Sequence, residues 1–201
     1  MELSQQTALV IVDVQRDFLL DGALPVPRSN EVVATASRLA EGFHAPGLLV
    51  VCTRAWLPAD HKSFRGHGGQ LPPHCVQDTH GAEFADDLVI PPDTWIISKG
   101  TSRTQSALSG FDGTDLAERL RKAGIETLLI CGLATETGVR STIVDALEAG
   151  FGVYLVADAC RPFNRHPSDG PQAVGEMMRL GARIASSGAV RNALEALSAT
   201  D

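Results

Sequence analysis

Short apolar runs alternate along this chain with segments of helical period, and few folds accommodate that rhythm. Ala8-Leu9-Val10-Ile11-Val12 is apolar at every position, β-branched at three of them, and stops at Asp13. Leu48 to Thr53, Trp95 to Ile97, Thr127 to Cys131 and Val153 to Ala157 read the same way, with Ala182 to Ser186 a weaker sixth. Strands apolar on both faces belong to a parallel sheet covered by helices, because a sheet with one wet face would alternate polar and apolar residues. Ser29 or Asn30 is positioned to cap a helix carrying Val32, Val33, Ala36, Leu39 and Ala40 on one face. Asp112 or Thr114 opens a second, with Leu116 and Leu120 inward and Gly124 at its end. A third runs from about Thr135 to Ala149 and buries Val139, Ile143, Ala146 and Leu147, and residues 171–180 and 189–198 give two more. This order predicts an α/β fold: a doubly wound, mainly parallel six-stranded sheet with helices on both faces and right-handed crossovers.

At 201 residues, 44% hydrophobic and 20% charged, the chain can bury a core without metal or disulfide staples. We expect a single domain over residues 1–201, with no internal repeat. Residues 54 to 93 break the rhythm: they are crowded with Pro, Gly and His and show no good helix or strand. An irregular stretch of that length between clear strands is expected to be a functional lid.

Acidic residues outnumber basic ones, 24 to 17, for a net charge of −7. With no basic patch, nucleic acid and membrane surfaces are excluded as partners. The longest apolar runs fall far short of the ~20 residues a bilayer span requires. The opening Met1-Glu2-Leu3-Ser4 lacks the basic start of a signal peptide, so a cytoplasmic protein is expected. Four cysteines (Cys52, Cys75, Cys131, Cys160) are scattered without the close pairs of a zinc or redox motif.

Several motifs carry chemistry. Asp13-Val14-Gln15-Arg16-Asp17-Phe18 follows the first strand. Pro72-Pro73-His74-Cys75-Val76-Gln77 and Gly81-Ala82-Glu83-Phe84 lie in the irregular stretch. Ser98-Lys99-Gly100-Thr101 and Cys131-Gly132-Leu133-Ala134-Thr135, leading to Val144-Asp145-Ala146, follow in order. Together, over residues 7 to 187, they resemble the isochorismatase-like hydrolases, most closely the nicotinamidase branch. The resemblance implies the same doubly wound fold and a small-molecule substrate. It also implies the dimers or tetramers in which relatives commonly assemble.

In that branch a cysteine thiolate attacks an amide, and a carboxylate after the first strand moves the thiol proton to leaving ammonia. A lysine after the third strand partners the carboxylate, and backbone N–H groups after the fourth strand form an oxyanion hole. A divalent metal held by one Asp and several His binds the pyridine nitrogen. Carried over, the carboxylate is Asp13 and the lysine Lys99. Ala134 and Gly138 fall at the oxyanion and substrate-binding turn, and Phe18 and Trp56 are candidate aromatic walls. The Leu133–Ala134 bond matches the position where relatives hold a non-prolyl cis peptide.

The departures from the pattern are as informative as the matches. Gly138 stands where the resemblance expects the cysteine. Asp-Trp-His-Pro appears as Ala55-Trp56-Leu57-Pro58, which removes a carboxylate and an imidazole. His61 and His74 remain at matching positions, while His67 and His80 match none. Two imidazoles make a poor zinc site when three or more protein ligands are usual, so neither metal nor other cofactor is expected. Cys131, Cys75 and Cys160 are poor substitute nucleophiles by placement, and Thr135 and Thr137 would need a strong base. Three correlated losses point to natural divergence rather than an engineered change.

Three functions follow. The isochorismatase branch also lacks cysteine and metal, carries Gly at the position of Gly138, and hydrolyses a vinyl ether. An acid–base hydrolysis of that type, on a small cyclic or carboxylate metabolite of secondary metabolism, needs Asp13 as proton donor and Lys99 as its partner. The alternatives are a non-catalytic relative that binds a small molecule, and an amidohydrolase with a substitute nucleophile.

Overall fold

In the computed structural model, which describes residues 1–105 and 108–199, six strands form one parallel sheet in the order β3-β2-β1-β4-β5-β6. They are β1 (Thr7–Val12), β2 (Leu49–Ala55), β3 (Trp95–Lys99), β4 (Thr127–Leu133), β5 (Gly152–Arg161) and β6 (Arg183–Ala185). The strands with continuous apolar runs are the ones buried on both faces: every residue of β1 is buried, and β4 is buried from Leu128 onward. The helices are α1 (Ser29–His44), α2 (Leu116–Lys122), α3 (Arg140–Glu148), α4 (Asp169–Arg179) and α5 (Ser187–Ser198). α1 packs against α5 and across β1, β2, β4 and β5, while α3 packs against α4 and β5. This is the doubly wound α/β sheet the strand–helix rhythm predicts.

Two local expectations are corrected. Neither Ser29 nor Asn30 caps α1. The cap position is Arg28, in the left-handed region with φ 59° and no capping side-chain bond. Ser29 is buried inside the first turn, and its hydroxyl finds no partner among the described residues. Arg28 is held instead by its guanidinium, which donates to Glu31 at 2.7 and 2.9 Å. The helix expected from Thr135 is also not uniform. Residues Thr135–Val139 form a π-helical turn before α3 begins, and Leu147 is half-buried rather than core. Such wide turns recur where a helix must aim groups at a site.

Residues 56 to 94 carry one short 3-10 turn (His80–Ala82) and are otherwise irregular, yet they are firmly tied down. Leu57 N–H donates to the Cys75 carbonyl and Gln77 N–H to the Leu57 carbonyl, at 2.9 and 2.8 Å. The buried Gln15 amide acts as a staple. Its Nε2 donates to the Ala55 and Ala82 carbonyls and its Oε1 accepts from Ala55 N–H, each at 2.8 Å. Asp17 Oδ2 accepts from Cys75 N–H at 2.6 Å, and a Cβ on Gly81 would fall 2.2 Å from that oxygen. Only glycine lets the segment pass so close to the carboxylate.

Candidate active site

The strand order turns at β1 and β4: from β1 the chain winds one way to β2 and β3, and from β4 the other way to β5 and β6. Open α/β sheets present a crevice at the carboxyl ends of such strands. The register fixes what stands there. Val12 pairs with Thr53, and Ala55 with Lys99, so the residue after β1 and the last residue of β3 flank the end of β2. Asp13 leaves β1 with φ 50°, a left-handed conformation that Asp tolerates better than most residues. Its Oδ2 lies 2.7 Å from Lys99 Nζ, and its Oδ1 accepts from Thr53 Oγ1–H at 2.7 Å. Lys99, fully buried, also donates to the Leu108 carbonyl at 2.6 Å. Each partner therefore satisfies the other, which a buried pair requires to be tolerated.

The floor opposite comes from β4. Gly132, with φ +123°, runs so close to β1 that a Cβ there would sit 2.1 Å from the Val12 carbonyl oxygen. Beyond it the Leu133–Ala134 peptide is cis, and the π-helical turn brings Gly138 over Asp13. A Cβ on Gly138 would lie 3.0 Å from Asp13 Oδ2, 3.0 Å from the Leu133 carbonyl oxygen and 3.2 Å from Val12 Cγ1. Gly138 is not in the left-handed region, so nothing in its backbone demands glycine. Any side chain there points at the carboxylate.

Above this floor is a cavity of about 530 Å³, lined by Asp13, Ala134 and Gly138 below and by Phe18, Leu57 and Phe163 among its apolar walls. Phe18 sits edge-on to Phe163, ring centroids 6.4 Å apart, and tilted against His74 at 5.8 Å. Trp56 does not line it. The Arg54 guanidinium lies 3.8 Å over its ring, and the half-buried indole packs against the core instead. The wall expected from Trp56 is supplied by Leu57, because successive residues of an extended segment face opposite ways. A larger groove of about 620 Å³ between α1 and α5 has only exposed residues, Arg38, Arg191 and Glu195, as its charged groups. The buried charge of Asp13 faces the smaller cavity.

Residues that sequence reasoning missed are the supports. Thr53 and Gln15 are polar groups completely buried, and both sit in or beside apolar strands. A threonine inside an apolar run and a glutamine two residues past the catalytic-type aspartate were the available signals. The carbonyl of Leu108 carries no such signal.

A buried carboxylate–lysine pair at the carboxyl edge of an α/β sheet, beside the π-helical turn after β4, defines a pocket suited to proton-transfer chemistry. The comparisons narrow that class. Residues 7–188 match the Isochorismatase domain, and the chain belongs to this family. It is 35% identical to a nicotinamidase of Escherichia coli over 198 residues, covering 88% of this chain and 93% of the relative. The structure of a Pyrococcus horikoshii pyrazinamidase in complex with zinc superposes with TM-score 0.87 at 46% identity, covering 90% of this chain and 99% of that one. The structure of PnC1 from L. infantum in complex with nicotinate superposes with TM-score 0.87 at 29% identity, covering 94% and 97%.

The residues present do not fit the divalent metal that the family resemblance implies. Ala55 and Leu57 have no donor atoms. His61, 2% exposed, has both ring nitrogens engaged: Nε2 lies 2.8 Å from the Gln105 carbonyl and Nδ1 2.8 Å from Ser63 Oγ. A carbonyl can only accept, so Nε2 carries the proton and Nδ1 takes the Ser63 donors. Among the described residues, no three His, Cys, Asp or Glu side chains cluster to hold a metal ion.

The thiols are equally unsuited to attack. All four cysteines are buried, and none lines the cavity. Burial pushes the Cys52 and Cys160 thiols up to about 12, and Cys75 and Cys131 well above the ordinary thiol value. The thiolate is the nucleophilic form, so these are inert core groups at neutral pH. Among the described residues, no helix is long and apolar enough to cross a membrane.

Proposed function

We propose that this chain is an isochorismatase-family hydrolase working without a cysteine nucleophile. Asp13 is the general acid and Lys99 its partner, and the scissile bond is of vinyl-ether type on a small cyclic metabolite. The observation that carries this reading is position 138. A side chain there would lie against Asp13 Oδ2, and glycine offers none to form an acyl-enzyme. What remains at the floor is a proton-transfer pair and open space for water.

The pair holds a proton at the 2.7 Å contact between Lys99 Nζ and Asp13 Oδ2. Asp13 delivers it to the vinyl carbon, giving an oxocarbenium ion. Water adds to that ion and returns a proton to Asp13, and the hemiketal collapses to a carbonyl compound and an alcohol. Atoms balance as substrate plus water, with no covalent enzyme intermediate. Lys99 keeps its bond to the Leu108 carbonyl throughout and so holds Asp13 in place. The Ala134 and Gly138 turn borders the substrate, and Phe18 forms a flat wall suited to a ring. Lys62 and Arg165 line the same cavity and bring two cationic side chains to it, which favours a carboxylate-bearing substrate. On this reading residues 1–201 are one domain, 54–93 its lid, and the protein a cytoplasmic dimer or tetramer serving secondary metabolism.

Isochorismate supplies a vinyl-ether probe, with pyruvate release as the readout. Wild type is expected to turn it over, and Asp13→Asn to lose about 10³-fold in rate while keeping its fold by circular dichroism. Lys99→Ala is expected to be similarly impaired. Unchanged rates in both variants would sink the acid role. Binding of the probe without turnover selects the non-catalytic reading, which the bare Gly138 also favours. Nicotinamide hydrolysis abolished by thiol alkylation would restore an amidohydrolase with a substitute cysteine.

A further inference from the structure

We infer that His74 is a specificity residue of this cavity: its Nε2 accepts a hydrogen bond from a hydroxyl or N–H carried on the substrate ring. His74 is only 7% exposed and lines the cavity. Its Nδ1 lies 2.9 Å from the Pro72 carbonyl oxygen. That oxygen has no proton to give, so Nδ1 carries the hydrogen and Nε2 is left with its lone pair. Among the described residues Nε2 has no partner. The ring cannot swing away, being set against Phe64 at 5.4 Å and Phe18 at 5.8 Å.

Several other polar groups around the cavity are already engaged by the protein or can only donate. Glu136 accepts from Phe163 N–H and Asn164 N–H at 3.2 and 2.8 Å, and Asp169 accepts from His166 N–H at 2.8 Å. His61 is closed by Gln105 and Ser63. Lys62 and Arg165 only donate. A fixed acceptor in a wall of Phe18 and Leu57 discriminates by what it leaves unmade: a ring without a donor leaves Nε2 desolvated and unpaired.

This inference rests on the proposed function only in taking the cavity as the substrate site, so it is tested by binding rather than turnover. Benzoate and its 2-, 3- and 4-hydroxy derivatives are titrated calorimetrically into wild type and His74→Phe. At least one hydroxybenzoate is expected to bind wild type about ten-fold tighter than benzoate, and that advantage to shrink to about two-fold or less in the variant. A preference that survives His74→Phe, or no binding of any probe to wild type, overturns the inference. Long-range ¹H–¹⁵N spectra of wild type give an independent readout that needs no variant. The expected signature is a neutral His74 protonated at Nδ1. A proton on Nε2, or stoichiometric zinc binding that shifts His74, overturns it. A ring preference that persists where vinyl-ether turnover is absent supports this inference and sinks the proposed reaction.

Discussion

At the sheet end of the cavity Asp13, Lys99 and Thr53 answer one another atom for atom, at 2.7 Å on each side of the carboxylate. At the end where β2 passes into the irregular segment, Ala55 and Leu57 carry no polar side-chain atom, and His61 is sealed by Gln105 and Ser63. The first end depends on every member, because a lone buried charge is far more costly than a buried pair. The second makes no such demand, because alanine and leucine need no polar partner in a dry wall. A buried ion pair depends on both of its members at once, whereas an apolar wall tolerates change one residue at a time.

The largest effect should come from breaking the first end. Lys99→Met leaves Asp13 buried and uncompensated, and is expected to cost about 3–5 kcal/mol in urea unfolding. The double variant Asp13→Asn/Lys99→Met should cost less than the two single losses summed, through a coupling of about 1–3 kcal/mol. Simple additivity would show that the two do not act as a pair. Next is the staple between the ends. Gln15→Ala strands the Ala55 N–H, the Ala55 carbonyl and the Ala82 carbonyl in the interior, and is expected to cost about 2–4 kcal/mol. It should also speed proteolysis within residues 56–94.

A smaller change tests the floor. Gly138→Ala gains helix propensity but puts a methyl 3.0 Å from Asp13 Oδ2 and the Leu133 carbonyl oxygen. Stability is expected to stay within about 1 kcal/mol of wild type. Turnover of the vinyl-ether probe should fall about ten-fold or more, because the methyl takes space beside the acid. An unaffected rate would mean that the space over Asp13 is not used.

The smallest effect separates the ends by pH. Burial holds the His74 pKa below its ordinary value. Folded protein then binds fewer protons than the unfolded chain as pH falls below about 6.5, so stability declines in that window and is fully present above it. His74→Phe should flatten that part of the stability–pH curve and leave the rest unchanged. Equal slopes in both proteins would show that His74 is solvated in the folded state.

Much of this was legible in the chain. Each apolar run marked a strand, but only the first ended where its strand does: β2, β3, β4 and β5 continue to Ala55, Lys99, Leu133 and Arg161, with Asp13 and Lys99 just past two of the runs. Helix starts were less legible: Ser29 has the composition of a cap but is buried within α1, so burial overrode local preference. Trp56 and Leu57 show the same limit. Size and aromaticity nominated Trp56 for the wall, but the direction of the extended backbone turned Leu57 inward and left the indole to Arg54.

The sequence by itself determined the α/β order of strands and helices, the family pattern, and the absence of a side chain at Gly138, since each is a property of residue types along the chain. The tertiary structure decided that Gly138 faces Asp13, that His61 is closed and that His74 presents a free acceptor. The two histidine outcomes turn on the carbonyls of Pro72 and Gln105, which carry no residue-type signature. Only the folded path of the backbone settles which ring nitrogen each one meets.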